Sequence, residues 1–416
     1  MATTSSEVRG LPPPLYAILT LPGGLSQGFV IVTLGYVLTH HGFSVGQIAT
    51  LVGLCLLPST WRFVMGPLVD LSLSPARWTL VCAVLDASFA VGFAFAPLSP
   101  ASMPLFAFLS LASGVSSNTR GAATIAAMAQ TSPQSERGAV SGWTQAGSLS
   151  GTGLGGGAGL WLATHGPGIE GPALALAVLS LACAAPILWI RAPRRTRGES
   201  LAGKARGLAA GLWSFARTRT GILTVLAVTL PAALNASGNL LPAVAGDWRA
   251  SANLVAAVTG VLNGVLTLPG CVLGGYLCAR LPPRTVYMAA ALACAVGQFD
   301  MALAPHTPAS FAAFLLGNAL LQGVAWGAIT AVIFEHLSPT MAATLGSVLG
   351  SFCNIPVVLM TMVVGRVQAG HGSTAMLLTE AVVAVGAVAA YALLACIWRP
   401  TRQGLAAAGS LAPEAA

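Results

Sequence analysis

Few side chains here carry charge, and fewer still do so inside the long apolar stretches: Arg62, Asp86, Arg120, Asp300 and Glu380, with Arg366 near the end of one stretch. An ionised group in an apolar helix is expensive to hold, so it is normally met by a partner or a polar cavity. Arg120 is the most informative of them. Ser113, Ser117, Arg120 and Thr124 follow one another at spacings of 4, 3 and 4. A helix therefore carries them on one polar face, which Asn118 and Thr119 broaden. A guanidinium keeps its proton at any depth and grips a carboxylate or phosphate with two parallel hydrogen bonds. Two chemistries follow: Arg120 with Ser117 and Asn118 receives an anionic ligand, or Arg120 pairs with Asp86. Asp86 is correspondingly a candidate proton-coupling carboxylate or an ion-pair partner.

A second polar face is formed by Asn318, Gln322, Trp326 and Thr330, which recur every four residues. Amides and an indole suit a polar or aromatic ligand, and they equally suit adhesion between helices. Asn235 and Asn239 stand one turn apart between Pro231 and Pro242, and Gln27 follows Pro22, Gly23 and Gly24. Interrupted helices of this kind mark either a ligand site or close packing. No catalytic triad, metal-ligand cluster or cofactor-binding loop is found, so no enzyme chemistry is expected. Gly151, Gly153 and Gly156 satisfy G-x-G-x-x-G, but that fingerprint needs a strand before it and a helix after it. Here it lies inside an apolar run and reads as helix packing. Asn235-Ala236-Ser237 matches a glycosylation sequon but also falls within such a run.

The elements that position these residues are membrane helices. Of 416 residues, 55% are hydrophobic and only 7% charged, against about one quarter charged in a soluble chain. About 20 apolar residues cross a bilayer as a helix, the one single-segment structure that satisfies its own backbone there. Twelve such spans are expected at 15–38, 45–67, 78–97, 104–129, 139–163, 172–190, 220–243, 252–278, 285–304, 309–334, 343–368 and 374–396. The eight cysteines all fall in apolar stretches without a C-x-x-C pair and read as small buried side chains. Residues 1–14 lack the features of a cleaved leader, so the first span is expected to be retained.

Fifteen of the 19 basic residues fall on one side of these spans, among them Arg77, Arg137, Arg280 and eight in 191–219. That side is cytoplasmic by the positive-inside rule, which puts both termini in the cytoplasm of a bacterial inner membrane protein. The net charge of +8 thus reflects topology and attraction to lipid headgroups, not nucleic-acid binding. Within the connector, Leu201, Leu208, Leu212 and Phe215 have near-helical spacing beside Lys204 and Arg206; a surface helix or a plain tether would account for them. Asp300, Arg366 and Glu380 map near the outer helix ends, where Arg366 and Glu380 are expected to pair.

The connector also divides a repeat. Gly53 to Pro58 (GLCLLP) recurs as Gly264 to Pro269 (GVLTLP), Gly66 and Pro75 as Gly274 and Pro283, and Pro133 as Pro339. The expected organisation is a tail (1–14), a six-helix bundle (15–190), a basic connector (191–219), a second six-helix bundle (220–396) and a tail (397–416).

Twelve spans in duplicated halves resemble the major facilitator superfamily. Gly66 to Asp70 (GPLVD) resembles its G-x-L-x-D loop signature, with Arg77 at the following basic position and Gly274 to Arg280 (GGYLCAR) as the counterpart. More narrowly, residues 21–70 and 132–138 (SPQSERG) resemble the muropeptide-permease (AmpG-like) branch, which includes acetyl-CoA and siderophore permeases. Gly121 and Ile125 stand where muropeptide permeases carry acids in the fourth span.

The resemblance implies an all-α fold and a secondary transporter that works by alternating access. In that frame spans 4 and 10 line a central cavity. Arg120, Ser117, Asn118, Gln27, Asn235, Asn239, Asn318, Gln322 and Trp326 contact a small-molecule substrate. Gly66, Asp70, Arg77 and Arg280 belong to a cytoplasmic gate, where Arg62 is placed to pair with Asp70. Protons are the candidate coupling ion, the bilayer is the surrounding partner, and a monomer is the family's habit. Import of an anionic solute, such as a siderophore or a cell-wall fragment, is the leading reading. Proton-coupled drug efflux is the alternative, since Gly138, Gly147, Gly151, Gly155 and Gly156 match the antiporter glycine spacing. A non-transporting sensor or assembly factor is a third.

Overall fold

The computed structural model describes residues 10–166, 168–190, 200–230 and 236–397. The two tails lie mostly outside these residues, as do the start of the connector and Asn235. The described residues form helices that agree with eleven of the twelve expected spans to within a few residues; of the seventh, expected at 220–243, the described helix covers Arg219–Thr229, and short turns follow from Ser237. In order they are Pro13–His40 (span 1), Gly46–Ser59 with Arg62–Leu71 (span 2), Pro75–Phe95 (span 3), Met103–Thr131 (span 4), Arg137–His165 (span 5) and Glu170–Trp189 (span 6). After a connector helix, Leu201–Arg217, come Arg219–Thr229 (the start of span 7), Asn253–Arg280 (span 8), Pro283–Leu303 (span 9) and Pro308–Phe334 (span 10). Spans 11 and 12 form one helical run, Ala342–Ile397, broken at Gly372. Its φ of 81° is a conformation open mainly to glycine, and it lets the chain turn back within one residue.

Starts are written locally. Pro13, Pro75, Pro283 and Pro308 open their helices, where a missing N–H is harmless. Ser44 and Thr307 close capping boxes with Gln47 and Ser310. Ser200 caps the connector helix, so the segment read as surface helix or tether is a helix. Span 2 is bent by 43° between its two pieces, with tight turns at Leu57–Ser59 and Arg62–Val64. Seven helices among the described residues are apolar and long enough to cross a bilayer, or eight with the bent pair. The remaining spans hide from a hydropathy count because 11 and 12 run together, 4 and 5 carry serine, threonine and glycine faces, and the described start of 7 is short.

Between apolar helices in lipid there is little hydrophobic drive, so small residues that admit close backbone contact govern packing. Span 5 shows this. One flank faces span 1: a methyl on Gly151 would meet the Leu21 carbonyl at 2.5 Å, and one on Gly155 the Leu25 carbonyl at 2.1 Å. The other faces span 8: Gly142 abuts Cys271 and Gly275, and Gly153 abuts Gly264. The apparent nucleotide fingerprint is thus the seam by which span 5 holds a helix of its own half and one of the other. Span 8 repeats the device against span 10, with Gly270 against the Leu320 carbonyl and Gly274 against Val324. Seven of the eight cysteines are buried, and Cys396 is exposed.

Adding one methyl at Gly155 should therefore lower stability by roughly 1–3 kcal/mol through overpacking. Gly386, with nothing within 4 Å, is the control. Thermal unfolding of Gly155→Ala and Gly386→Ala in detergent checks this; equal midpoints would refute the seam.

Candidate functional site

Three sets of polar groups stand inside the bundle. The first is the pair Asp86 and Arg120. Asp86 lies in the middle of span 3 and Arg120 on the polar face of span 4; their Oδ2 and Nη2 are 3.1 Å apart, and the residues are 4% and 2% exposed. Of the two chemistries open to Arg120, the structure contains this pair. Ser117 lies on the span 1 side of the same face: a methyl on Gly23 would meet its Oγ at 2.7 Å and Arg120 Nη2 at 3.7 Å. Asn118 is partly exposed and donates to the Gly114 carbonyl at 2.9 Å. Gln27 is partly exposed on span 1.

The second set lies where spans 7, 9, 10 and 12 meet. Glu380 is 1% exposed. It does not pair with Arg366. Its carboxylate accepts the N–H groups of Ala236, at 2.9 Å, and Ser237, at 2.7 Å. The short helix Ser237–Asn239 begins there, and the first N–H groups of a helix have no partner within it. These orphan donors, which charge-pair reasoning overlooks, claim the acid. Gln298 is buried beside Glu380. With Ser237, Asn318, Phe314 and Leu377 it lines a small pocket. Asn239 is exposed and reaches Thr361 Oγ1 of span 11 at 3.3 Å. Further along span 10, Gln322 Nε2 is buried without a partner, and Trp326 packs on the core between the helices. The polar face of span 10 is therefore divided between a pocket and a packing surface.

The third set is a clamp at the basic end. Asp70 accepts the N–H of Ala343 at 3.3 Å and both the N–H and hydroxyl of Thr344 at 2.7 Å, where span 11 begins. Gly66, one turn earlier, lets the chains touch: a methyl there would sit 2.5 Å from the Ala343 carbonyl. Arg137 does the converse at the end of span 10, donating from Nη1 to the carbonyls of Phe334 and Leu337, both at 2.9 Å. Sequence reasoning overlooked Arg137, whose only signal was its place in SPQSERG. Arg77 and Arg280 are exposed at their helix ends and make no ion pair among the described residues.

Arg62 does not pair with Asp70. The bend in span 2 carries its guanidinium between span 4 and span 11, where a methyl on Gly121 would stand 3.3 Å from Nη2 and one on Gly350 would stand 3.4 Å from Nη1. The next backbone N–H, of Phe63, donates to Ser351 Oγ at 3.2 Å. No metal-binding group of His, Cys, Asp and Glu is found among the described residues.

A family model described as Major Facilitator Superfamily matches residues 16–361. This chain, with its twelve spans and paired helix-end contacts, belongs to that superfamily and is an integral membrane transporter. Solved structures agree in fold. The E. coli fucose:proton symporter FucP is matched with a TM-score of 0.72 at 17% identity, over 94% of this chain and 99% of that one. FucP in the outward conformation gives 0.69 at 17%, over 94% and 99%. The proton:xylose symporter XylE bound to 6-bromo-6-deoxy-D-glucose gives 0.69 at 16%, over 90% and 94%. No curated protein matches significantly.

Two measurements check these sites. Asp86→Asn or Arg120→Gln alone strands a buried charge and should destabilise by about 3–5 kcal/mol, and the double substitution should recover much of that. Additive losses in a double-mutant cycle of thermal unfolding would count against the pair. Near the clamp, His336 accepts from Arg284 Nη2 at 3.0 Å. Burial, and then the Arg284 charge, push its pKa down from 6.5 to about 4. Between these values the unfolded chain takes a proton that the native chain refuses, so stability present above about pH 6.5 falls as the pH drops towards about 4. His336→Gln should flatten that part of the stability profile relative to the parent. Neighbouring Glu335 shifts upward by burial and contributes oppositely, but it is common to both proteins.

Proposed function

We propose that the protein is a secondary active transporter that imports a small organic solute across the inner membrane, with protons as the coupling ion. The solute is of the anionic kind represented by siderophores and cell-wall fragments, as the AmpG-like resemblance of residues 21–70 suggests. The two six-helix halves, 15–190 and 220–396, rock about a site near the midplane. The site takes in Ser117, Asn118, Gln27, Asn239, Asn318 and Gln322, with Asn235 close by in the chain. Asp86, held by Arg120, is the coupling carboxylate: a proton there would break the charge pair and loosen spans 3 and 4.

One observation carries the reading. The basic end is shut by a few exchangeable contacts, Asp70 on the start of span 11 and Arg137 on the end of span 10, whereas the outer piece of span 2 packs on span 4 of its own half. A helix-end charge contributes about 0.3–1 kcal/mol when exposed and up to ~2 kcal/mol when partly buried. Contacts of that size hold one state yet give way to a ligand that favours the other. By the positive-inside rule the shut end is the cytoplasmic one, which is the state in which an importer would receive its solute from outside.

In proteoliposomes with an imposed proton gradient, siderophores, muropeptides, acyl-CoA compounds and cationic drugs would be compared as substrates. Asp70→Asn leaves the shape of the clamp but removes its charge, so gradient-driven uptake should fall at least tenfold. Extrusion of cationic drugs instead of uptake would overturn import in favour of efflux. Absence of any gradient-driven flux, with folding intact, would point to a sensor or assembly role.

A further inference from the structure

The bundle holds two arginines at its polar centre in opposite electrostatic situations. Arg120 is neutralised by Asp86. Arg62 is not: among the described residues its guanidinium makes no ion pair and no hydrogen bond, and its Nε is fully buried without an acceptor. Cys353 of span 11 lies near it, and a neutral thiol is no counter-ion. A guanidinium always carries its charge, and Arg62 is only partly buried, with Nε alone fully enclosed, so an anion in the space its other nitrogens reach can compensate that charge. The surroundings are built to leave room for that compensation, since glycines stand on both sides of it, Gly121 on span 4 and Gly350 on span 11.

Amide groups flank the same place. Gly114, Asn118, Gly121 and Ile125 recur at spacings of 4, 3 and 4 and so share one face of span 4. That face meets Cys55 and Pro58 of span 2 at Gly114, Arg62 at Gly121 and Gly346 of span 11 at Ile125. Asn118 therefore stands about one turn from Arg62, away from the clamp. On span 11, Asn354 is one turn beyond Gly350 in the same direction. Each asparagine ties its Nδ2 to the carbonyl four residues back, Gly114 and Gly350 respectively, at 2.9 Å. Each is partly exposed, which leaves its second amide hydrogen for a ligand.

We propose that Arg62, with Asn118 and Asn354, forms an oxyanion subsite that takes the carboxylate or phosphate group of the transported solute. The inference rests on the transporter reading and deepens it: the anion receptor is Arg62 on the broken span 2, while Arg120 serves its internal pair with Asp86. The subsite draws one side chain from span 4 and one from span 11, so a bound oxyanion bridges the two halves just beyond the Asp70 clamp. Arg62 gives charge and a planar fork, and the asparagines give directed donors.

The test is direct binding to the purified full-length protein, by calorimetry and thermal shift at matched ionic strength. One arm uses acetate, succinate and citrate, the other inorganic phosphate and glycerol 3-phosphate. At least one probe should bind saturably, and the arm that responds identifies the group. Arg62→Gln should weaken that binding at least tenfold, and Arg62→Lys, which keeps charge but loses the fork, by less. Asn354→Ala should weaken it severalfold with every charge intact, which keeps the test decisive if Arg62→Gln fails to fold. Arg206→Gln, which removes an exposed cation from the connector helix, should leave the anion affinity within about threefold. Failure of every oxyanion to bind, or affinity unchanged in Arg62→Gln, overturns the subsite. Gradient-driven uptake of a neutral solute that ignores Arg62→Gln also overturns it, while leaving the transporter reading in place. Anion binding without any transport supports the subsite and removes that reading instead.

Discussion

Two helix ends decide how this molecule is arranged. Span 11 begins, and span 10 ends, where the two halves meet at the basic face. The first leaves unpartnered N–H groups and the second unpartnered carbonyls. Residues from the first half supply the matching charges: a carboxylate from Asp70 for the one, a guanidinium from Arg137 for the other. Each contact joins a fixed charge to the favourable end of a helix dipole, and each crosses between halves. Switching a two-state equilibrium from 1:99 to 99:1 takes about 5.5 kcal/mol of differential binding. Two helix-end contacts of about 2 kcal/mol at most are of the same order. The clamp is therefore strong enough to define a state and weak enough to be reversed.

What persists through such a reversal has to be of another kind. The seam between spans 1 and 5 lies within one half and sets glycines of span 5 mostly against backbone carbonyls of span 1, which cannot be repacked to accommodate a slide. The seam between spans 5 and 8 joins the halves and is lined by small residues on both sides, Gly142 and Gly153 against Gly275 and Gly264. Paired glycine faces present a smooth surface with little side-chain interdigitation, which suits a hinge line.

How much of this was legible in the sequence depends on the range of the interaction. Span positions and helix starts are local properties, read from hydropathy, Pro and Ser/Thr caps, and outside span 7 they agree with the structure to within a few residues. Gly66 and Asp70 were recognisable through their loop signature. Their partners, the donors Ala343 and Thr344, were not, because nothing in a sequence says which helix end will dock some 270 residues away. Arg62 was assigned to Asp70 on the assumption of a continuous helix. The tight turns at Leu57–Ser59 and Arg62–Val64 break that assumption and rotate the side chain to another face. Glu380 was matched to Arg366 because charge pairs are conspicuous in a sequence. The backbone donors of Ala236 and Ser237 are not conspicuous, since every residue except proline has one, and only the start of the short helix Ser237–Asn239 leaves these two for the acid.

The two central arginines show why counting charges within spans is a weaker guide than asking how each is compensated. Arg120 and Asp86 lie on adjacent helices of one half, fully enclosed, and their attraction is realised whatever the halves do. Arg62 sits on the broken helix, against span 4 of its own half and span 11 of the other. Its environment therefore changes whenever the halves move, while that of Arg120 does not. A charge whose surroundings differ between two states biases the equilibrium between them, and any counter-ion that prefers one surrounding biases it back. If the halves rock as proposed, a break in a helix that places an uncompensated cation at their interface would couple ligand charge to conformation without a dedicated relay.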